Sequence, residues 1–332
     1  MAASQMIVEN LSKTYRVPER QAGLKAAMQS LVHRVYRDVP AVQDVSFTVA
    51  AGEMVGFIGP NGAGKTTTLK MLAGLLQPTG GDARVHGFVP WQRAPAYLRR
   101  ITMVMGNKSQ LMWDIPPLDT FRVLGEIYWV PRAELEETIE ELSTLLGMQE
   151  LLRKPARNLS LGERMKCELV AALLHRPSVL FLDEPTLGLD VSMQRRLRQF
   201  IATYNRRTGA TVILTSHYMA DVAELCPRVI LIQTGRLLYD GPLQQLSEQL
   251  APFKLIRLTL NRDNGSDDIA QLLPPHTEIL DQANGKLTLR VARSQTSAVT
   301  GALLNTLPVV DLSVENPPLE AVIDQIYQEG SL

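Results

Sequence analysis

The densest chemistry in this chain sits in Gly59-Pro60-Asn61-Gly62-Ala63-Gly64-Lys65-Thr66-Thr67, which matches G-x-x-x-x-G-K-[ST] without departure. Met54-Val55-Gly56-Phe57-Ile58 before it reads as a short buried strand, and Thr68-Leu69-Lys70-Met71-Leu72 after it opens a helix. Strand, loop and helix in that order are the context a phosphate-binding loop needs. The glycines let successive backbone N–H groups turn toward a β-phosphate, and the helix N-terminus adds its positive end. Lys65 can reach the β- and γ-phosphates, Thr66 can ligate Mg²⁺, and Thr67 can offer a hydroxyl to the phosphates. The chain is expected to bind a nucleoside triphosphate.

A second stretch ends an apolar strand in acids: Leu180-Phe181-Leu182-Asp183-Glu184. Ionised groups are costly in such surroundings unless they have work to do. Asp183 is placed to hold Mg²⁺ through water, and Glu184 to orient or deprotonate a water attacking a γ-phosphate. Between the two stretches lies Leu159-Ser160-Leu161-Gly162-Glu163-Arg164. Ser160 followed by Glu163 is a capping box, so a helix starts there. With Gly162 leaving the backbone open, its first turn is a second anion site.

The elements that must position these groups follow from the alternation of apolar residues. Strands are expected at 6–14 and 41–49, with a turn at Ala51-Gly52-Glu53. Residues 16–40 between them are an insertion, basic through Arg16, Arg20, Lys25, Arg34 and Arg37. Within it, Leu24, Met28, Leu31, Val32 and Val35 share one helical face, which predicts an amphipathic helix near 21–37. A turn at Gln77–Gly81 leads to a short strand at 83–86, and another strand follows at 101–105. The stretch from about 118 to 175 is expected to be mostly helical, and its acidic run from Glu134 to Glu141 reads as a solvated face. Buried runs at 179–182 and 211–215, separated by helix, predict a parallel sheet covered on both faces, with a hairpin at 229–240. From about 245 the pattern becomes βαββαβα: strands at 253–260, 277–281, 286–292 and 309–315, and helices near 266–273, 294–306 and 318–328. That predicts a small α+β domain, and no phosphate, metal or nucleophile motif falls in it.

Bulk properties narrow the class. The 332 residues carry 34 basic and 34 acidic side chains, so no net field calls for nucleic acid. Cys167 and Cys226 have no metal-ligand spacing and read as reduced thiols. No apolar run suggests a signal peptide or approaches membrane-spanning length. The chain is expected to be intracellular and to meet a membrane only through a surface or a partner.

These motifs, in this order, resemble the ATP-binding cassette (ABC) family of ATPases over about residues 4–242. Residues 59–67 resemble its Walker A loop, 179–184 its Walker B strand, and 159–164 its LSGGQ signature, with Leu161 and Glu163 replacing Gly and Gln. Leu187-Gly188-Leu189-Asp190 resembles the D-loop, and Thr215-Ser216-His217 the switch histidine. The resemblance implies an α/β P-loop NTPase fold spanning residues 1–244, with the helical subdomain at about 110–175 and an accessory domain at 245–332. It implies ATP and Mg²⁺ as cofactors, His217 as a γ-phosphate contact, and Tyr15 as the aromatic that stacks on adenine. The family also has a glutamine after the strand at 101–105 that contacts Mg²⁺ and relays to a membrane partner. Spacing puts Asn107 there, with Gln110 three residues on, and both stay open.

In the family two cassettes pair head to tail, each ATP lying between one Walker A loop and the opposite signature. Glu184, His217 and Lys65 are then the catalytic groups, with Ser160, Gly162 and Asp190 at the paired face. The expected partners are a second copy or a homologous ATPase subunit, together with separate transmembrane permease subunits at the cytoplasmic face of the inner membrane. Export is favoured. The basic insert is similar to that of polysaccharide-exporter ATPases, and residues 308–328 to the tails of drug- and lipid-exporting subunits. An importer subunit and a soluble non-transport ATPase are the alternatives.

Overall fold

A computed structural model describes residues 4–18, 36–106, 108–250, 253–261, 273, 277–283 and 285–329. The chain divides into two compact units, Met1–Pro242 and Leu243–Leu332.

The first unit is built on a six-stranded sheet in the order β5-β6-β7-β3-β8-β9. Its strands are Ile101–Met105 (β5), Val179–Asp183 (β6), Thr211–Thr215 (β7), Met54–Ile58 (β3), Arg228–Gln233 (β8) and Arg236–Pro242 (β9). All neighbours run parallel except β8 and β9, the predicted hairpin. Every residue of β3, β6 and β7 is buried, the pattern of strands covered on both faces. A three-stranded antiparallel sheet lies beside it in the order β2-β1-β4, from Tyr36–Ala50, Ser4–Pro18 and Gly80–Val85. Val8, Phe47 and Val85 of this sheet join Phe57, Phe181 and Ile213 of the parallel sheet and Leu69 and Leu72 of the helix Lys65–Leu72 in one core. The helices Pro117–Tyr128, Arg132–Leu146 and Leu161–Leu173 make up the expected helical stretch.

Two boundaries differ from expectation. β1 runs on to Pro18 and β2 begins at Tyr36, with Val17 opposite Arg37 and Pro18 opposite Tyr36. The ends of the 16–40 insertion are therefore a continuing antiparallel ribbon, and Tyr36 and Arg37 are strand, not the end of a helix. Residues 36–40 are all exposed, so alternation between a wet and a dry face could not reveal the strand. The remainder of the predicted helix lies outside the described residues. The strand expected at 83–86 instead starts at Gly80 and ends at Val85, and His86 turns away at φ +52°.

The second unit pairs Thr277–Ala283 (β11), Lys286–Ala292 (β12), Phe253–Leu260 (β10) and Val309–Glu315 (β13) in that spatial order, all antiparallel. Ile256, Leu258, Leu287, Leu289 and Val291 pack with Val299 and Leu303 of the helix Thr296–Thr306. The helices Leu243–Leu250 and Leu319–Glu329 complete the unit, while the helix expected near 266–273 lies outside the described residues apart from Leu273.

Candidate functional site

The loop after β3 folds as the glycine spacing demands. Gly64 sits at φ +106°, where a Cβ would meet the Ala41 carbonyl at 2.5 Å. A Cβ at Gly59 would strike the Ile232 carbonyl at 2.2 Å, so only glycine fits at both ends of the loop. Pro60, Asn61 and Gly62 are exposed, Ala63 is buried and Thr67 is half-buried. The helix Lys65–Leu72 begins here with no side-chain cap and no acid in its first turn, which leaves its N–H groups for an anion. The Lys65 ammonium is buried and folds back on the loop, donating to the Gly59 carbonyl at 2.6 Å and the Pro60 carbonyl at 3.1 Å. Burial pushes its pKa down, and the nearby Glu184 and Asp183 carboxylates oppose that shift.

Strand register brings the other groups level with it. Met105, Asp183 and Thr215 are partners across β5, β6 and β7. Asp183 is buried, and its carboxylate accepts from the Thr66 hydroxyl at 2.9 Å and from the Thr215 hydroxyl at 2.7 Å. Glu184 leaves the strand at φ +55°, its N–H held by the Thr215 carbonyl at 3.1 Å. That turn aims its carboxylate at His217, 2.8 Å from Nε2. Gly106, at the end of β5, donates its N–H to the Asp183 carbonyl at 3.0 Å. A Cβ there would lie 2.5 Å from the Glu184 carbonyl. The result is a cavity of about 160 Å³ lined by Thr66, Lys70, Gly106, Lys108, Asp183 and Glu184, among others. A carboxylate–imidazole pair beside a lysine and a phosphate-binding loop can hold a water and take its proton during attack on phosphorus.

The donor set also fits an oxygen-seeking divalent cation. Thr66 and Asp183 present hard oxygens to one another, and among the described residues no group of three or more His, Cys, Asp and Glu could enclose a metal alone. A cation there would share its coordination with phosphate and water, as Mg²⁺ does.

Ser160, Gly162 and Asp190 do not line this cavity. Ser160 caps the helix Leu161–Leu173 in the predicted capping box: its hydroxyl accepts from Glu163 N–H at 3.3 Å, and its own N–H reaches the Glu163 carboxylate at 2.9 Å. Those bonds hold the Glu163 carboxyl below the usual range. Asp190 caps the helix Val191–Thr208, accepting from Met193 N–H at 2.9 Å and the Ser192 hydroxyl at 2.7 Å. The Leu161 side chain comes against Gly188, where a Cβ would lie 3.0 Å from it. The turn at Ser160–Gly162 therefore touches the turn at Leu187–Asp190; Ser160, Leu161, Leu187, Gly188 and Asp190 are exposed, Gly162 is half-buried and Leu189 is buried. Tyr15 is 37% exposed, with the Lys13 ammonium 5.6 Å from its ring centre.

Asn107 lies outside the described residues. Gln110 lines a different cavity of about 500 Å³, with Leu98, Tyr128 and Trp129. Its backbone N–H is bound by the buried Glu168 carboxylate at 2.9 Å. The Thr215 bond to Asp183 and the Glu168 bond to this loop were missed in the sequence. An acid placed directly before the apolar run Leu169–Leu174 of a helix is the signal that could have flagged Glu168.

Comparison with known proteins fits this geometry. The profile of the family described as "ABC transporter" matches residues 42–187, and one described as "EvrA-like ABC transporter, C-terminal domain" matches residues 252–315. The ABC transporter ATP-binding protein NatA of Bacillus subtilis (strain 168) is 37% identical over 63% of this chain and 85% of its own length. The chain belongs to the ABC transporter ATP-binding proteins. It is an ABC ATPase that binds and hydrolyses ATP. The linearmycin resistance ATP-binding protein LnrL of the same strain is 28% identical over 87% of this chain and 94% of its own length. The methionine import ATP-binding protein MetN of Protochlamydia amoebophila (strain UWE25) is 30% identical over 70% of this chain and 68% of its own length. A solved ATP-binding subunit of an ABC transporter superimposes with a TM-score of 0.61 at 25% identity, covering 74% of this chain and 92% of that one. Among the described residues no helix is long and apolar enough to cross a membrane.

Proposed function

We propose that this ABC ATPase powers export through separate membrane subunits by closing head to tail with a second copy or a homologous subunit. One observation carries the reading. Lys65, Thr66, Asp183, Glu184 and His217 converge at one end of the sheet, while the turn of exposed Ser160 and half-buried Gly162 lies outside the cavity that Thr66, Asp183 and Glu184 line. A second chain can then bring its Ser160 turn to the phosphates, and two-fold symmetry makes two such sites.

Within each site the backbone of residues 59–64 wraps the phosphates and Lys65 exchanges its loop carbonyls for phosphate oxygens. Tyr15 stacks on the base. Glu184 accepts the proton of the attacking water as its oxygen bonds to the γ-phosphorus and the bond to ADP breaks. His217 holds Glu184 and the γ-phosphate in line. Thr66 and Asp183 would hold Mg²⁺. When bound, the ion neutralises charge on the β- and γ-phosphate oxygens. On this reading Asn107 rather than Gln110 takes the coupling position, and the lining of a separate cavity by Gln110 supports it.

Export is supported by the resistance relative, matched over 94% of its length, against 68% for the import relative. On this reading the subunit works at the cytoplasmic face of a membrane, held by its permease subunits. Co-purified membrane subunits reconstituted in liposomes should move substrate away from the ATPase face when ATP is added. Movement toward that face overturns export. Asn107→Ala should impair hydrolysis while Gln110→Ala does little, and the reverse result reassigns the coupling position.

A further inference from the structure

Beside the Glu184–His217 pair lies a carboxylate that the reaction above does not use. Asp221, in the helix Met219–Leu225, is 0% exposed. One of its oxygens accepts from two hydroxyls, Thr186 at 2.5 Å and Ser216 at 2.6 Å. The other accepts from Arg198 at 2.8 Å. The two hydroxyls belong to different loops. Ser216 directly precedes His217, and Thr186 lies two residues after Glu184, at the entry to the Leu187–Asp190 turn. Both are 2% exposed, so neither has water as an alternative acceptor.

We infer that Asp221 is a positioning residue for hydrolysis: by accepting both hydroxyls on one oxygen it sets the loop carrying His217 in register with the loop carrying Glu184. The inference rests on the roles proposed above for Glu184 and His217. Neutralising Arg198 would need only the other oxygen, and Arg198 already has the Glu224 carboxylate at 2.6 Å. The doubly occupied oxygen is what ties the two loops. Both hydroxyls spend their single proton on it, so neither loop can shift without breaking a buried bond. The same bonds connect His217 to the turn that opens into Asp190, so the geometry at the water-attack site and at the exposed signature surface is set together.

The test separates the acceptor from the charge. In the full-length chain, Arg198→Met/Asp221→Asn removes both charges but keeps an amide oxygen for the hydroxyls. Arg198→Met/Asp221→Leu removes the charges and the acceptor. The first should keep kcat within about threefold of wild type. The second should lose about 10- to 100-fold in kcat, the scale expected when reacting groups drift by a fraction of an ångström to one ångström, with KM for ATP nearly unchanged. Equal kcat in the two variants, or a loss carried by KM alone, overturns the inference. If the leucine variant fails to melt cooperatively, Thr186→Val/Ser216→Ala decides. A drop in kcat at constant KM supports the tie, and unchanged kcat removes it. Glu184→Gln run alongside keeps the two readings apart. Full activity there overturns the base assignment, whereas an inactive Glu184→Gln with equal double variants overturns only the role of Asp221.

Discussion

The two units place their polar groups in opposite ways. In residues 1–242, Lys65, Asp183, Thr215, Ser216 and Asp221 are buried near the C-terminal ends of β3, β6 and β7 and each is bonded: Thr215 to Asp183, Ser216 to Asp221, and Lys65 to the loop carbonyls of Gly59 and Pro60. In residues 243–332 the ion pairs among the described residues lie at the surface, Arg257 with Glu315 at 3.4 Å and Arg290 with Glu278 at 3.6 Å, while the core cluster is aliphatic. Exposed pairs of that kind contribute ~0–1 kcal/mol each. Burying polar groups costs stability unless each is bonded, so a buried polar cluster needs a reason that an aliphatic core does not. The difference separates a unit built around chemistry from a unit built around packing.

The largest effect should come from breaking the cluster without disturbing the fold. Glu184→Gln removes the proton acceptor but keeps the shape of the turn, and hydrolysis should fall ~10³-fold, or ~4 kcal/mol. ATP binding and the melting temperature should stay near wild type, and an ATP-bound pair should accumulate on size exclusion. Undiminished steady-state turnover would remove Glu184 from the base role. In the other unit the effect should be the converse. Leu289 is fully buried, and Leu289→Ala should cost ~3 kcal/mol of that unit's stability through lost burial and a residual cavity. Calorimetry should show one transition moved down while ATP affinity is unchanged. A parallel loss of ATP affinity would mean the units do not fold independently.

How much of this was readable follows the same division. The phosphate loop, Asp183-Glu184 and the capping box are local: each is a run of a few residues whose spacing carries its own geometry, and the structure places Lys65, Thr66, Asp183, Glu184 and His217 together. In the second unit the four strands and the helices near 294–306 and 318–328 were readable, most directly β12, where buried Leu287, Leu289 and Val291 alternate with less buried residues. What stayed hidden depends on distant partners. Asp221 reads as one more polar residue on an amphipathic helix, and only the approach of Arg198 and Thr186 makes it a buried hub. The extension of β1 and β2 stayed hidden for the opposite reason, since a ribbon wet on both faces leaves no hydrophobic pattern.

A smaller effect should divide the two duties of Ser160. As an N-cap it stabilises the helix Leu161–Leu173, and Ser160→Ala should cost ~1 kcal/mol. Ser160→Asp keeps a capping oxygen but sets a negative charge where the reading above puts a partner's phosphate. Urea unfolding should show Ser160→Asp at wild-type stability, while the ATP-dependent pairing of Glu184→Gln is lost when the two substitutions are combined. Pairing that survives in the combined variant would leave Ser160 a cap only.

The smallest effect concerns a half-buried histidine of the first unit that lies outside the cluster. His175 stacks on Tyr128 at 3.9 Å between ring centres and 3° between planes, and its Nε2 donates to the Ile101 carbonyl at 3.0 Å. Its Nδ1 is buried with no hydrogen-bond partner among the described residues. Burial pushes its pKa down, against the smaller opposing effect of the bond to Ile101, so the native ring is neutral. Well above ~6.5, the ordinary histidine value, the ring is neutral folded and unfolded alike and adds no pH dependence. As pH falls through that value the unfolded chain takes a proton that the native state refuses, and stability drops by up to ~1.4 kcal/mol per pH unit for that proton. His86, whose pKa is likewise lowered by burial and by Arg100, adds a decline of the same sign. His175→Phe keeps the stack but loses the bond to Ile101, at a cost of ~1 kcal/mol at pH 7.5. Because the variant has one fewer group to protonate, its deficit should shrink as urea unfolding is repeated from pH 7.5 down to 5.5. Hydrolysis at pH 7.5 should stay within about twofold of wild type, since His175 lies outside the cavity that holds Glu184. Parallel stability curves for wild type and variant would show that the buried ring takes up its proton as readily folded as unfolded.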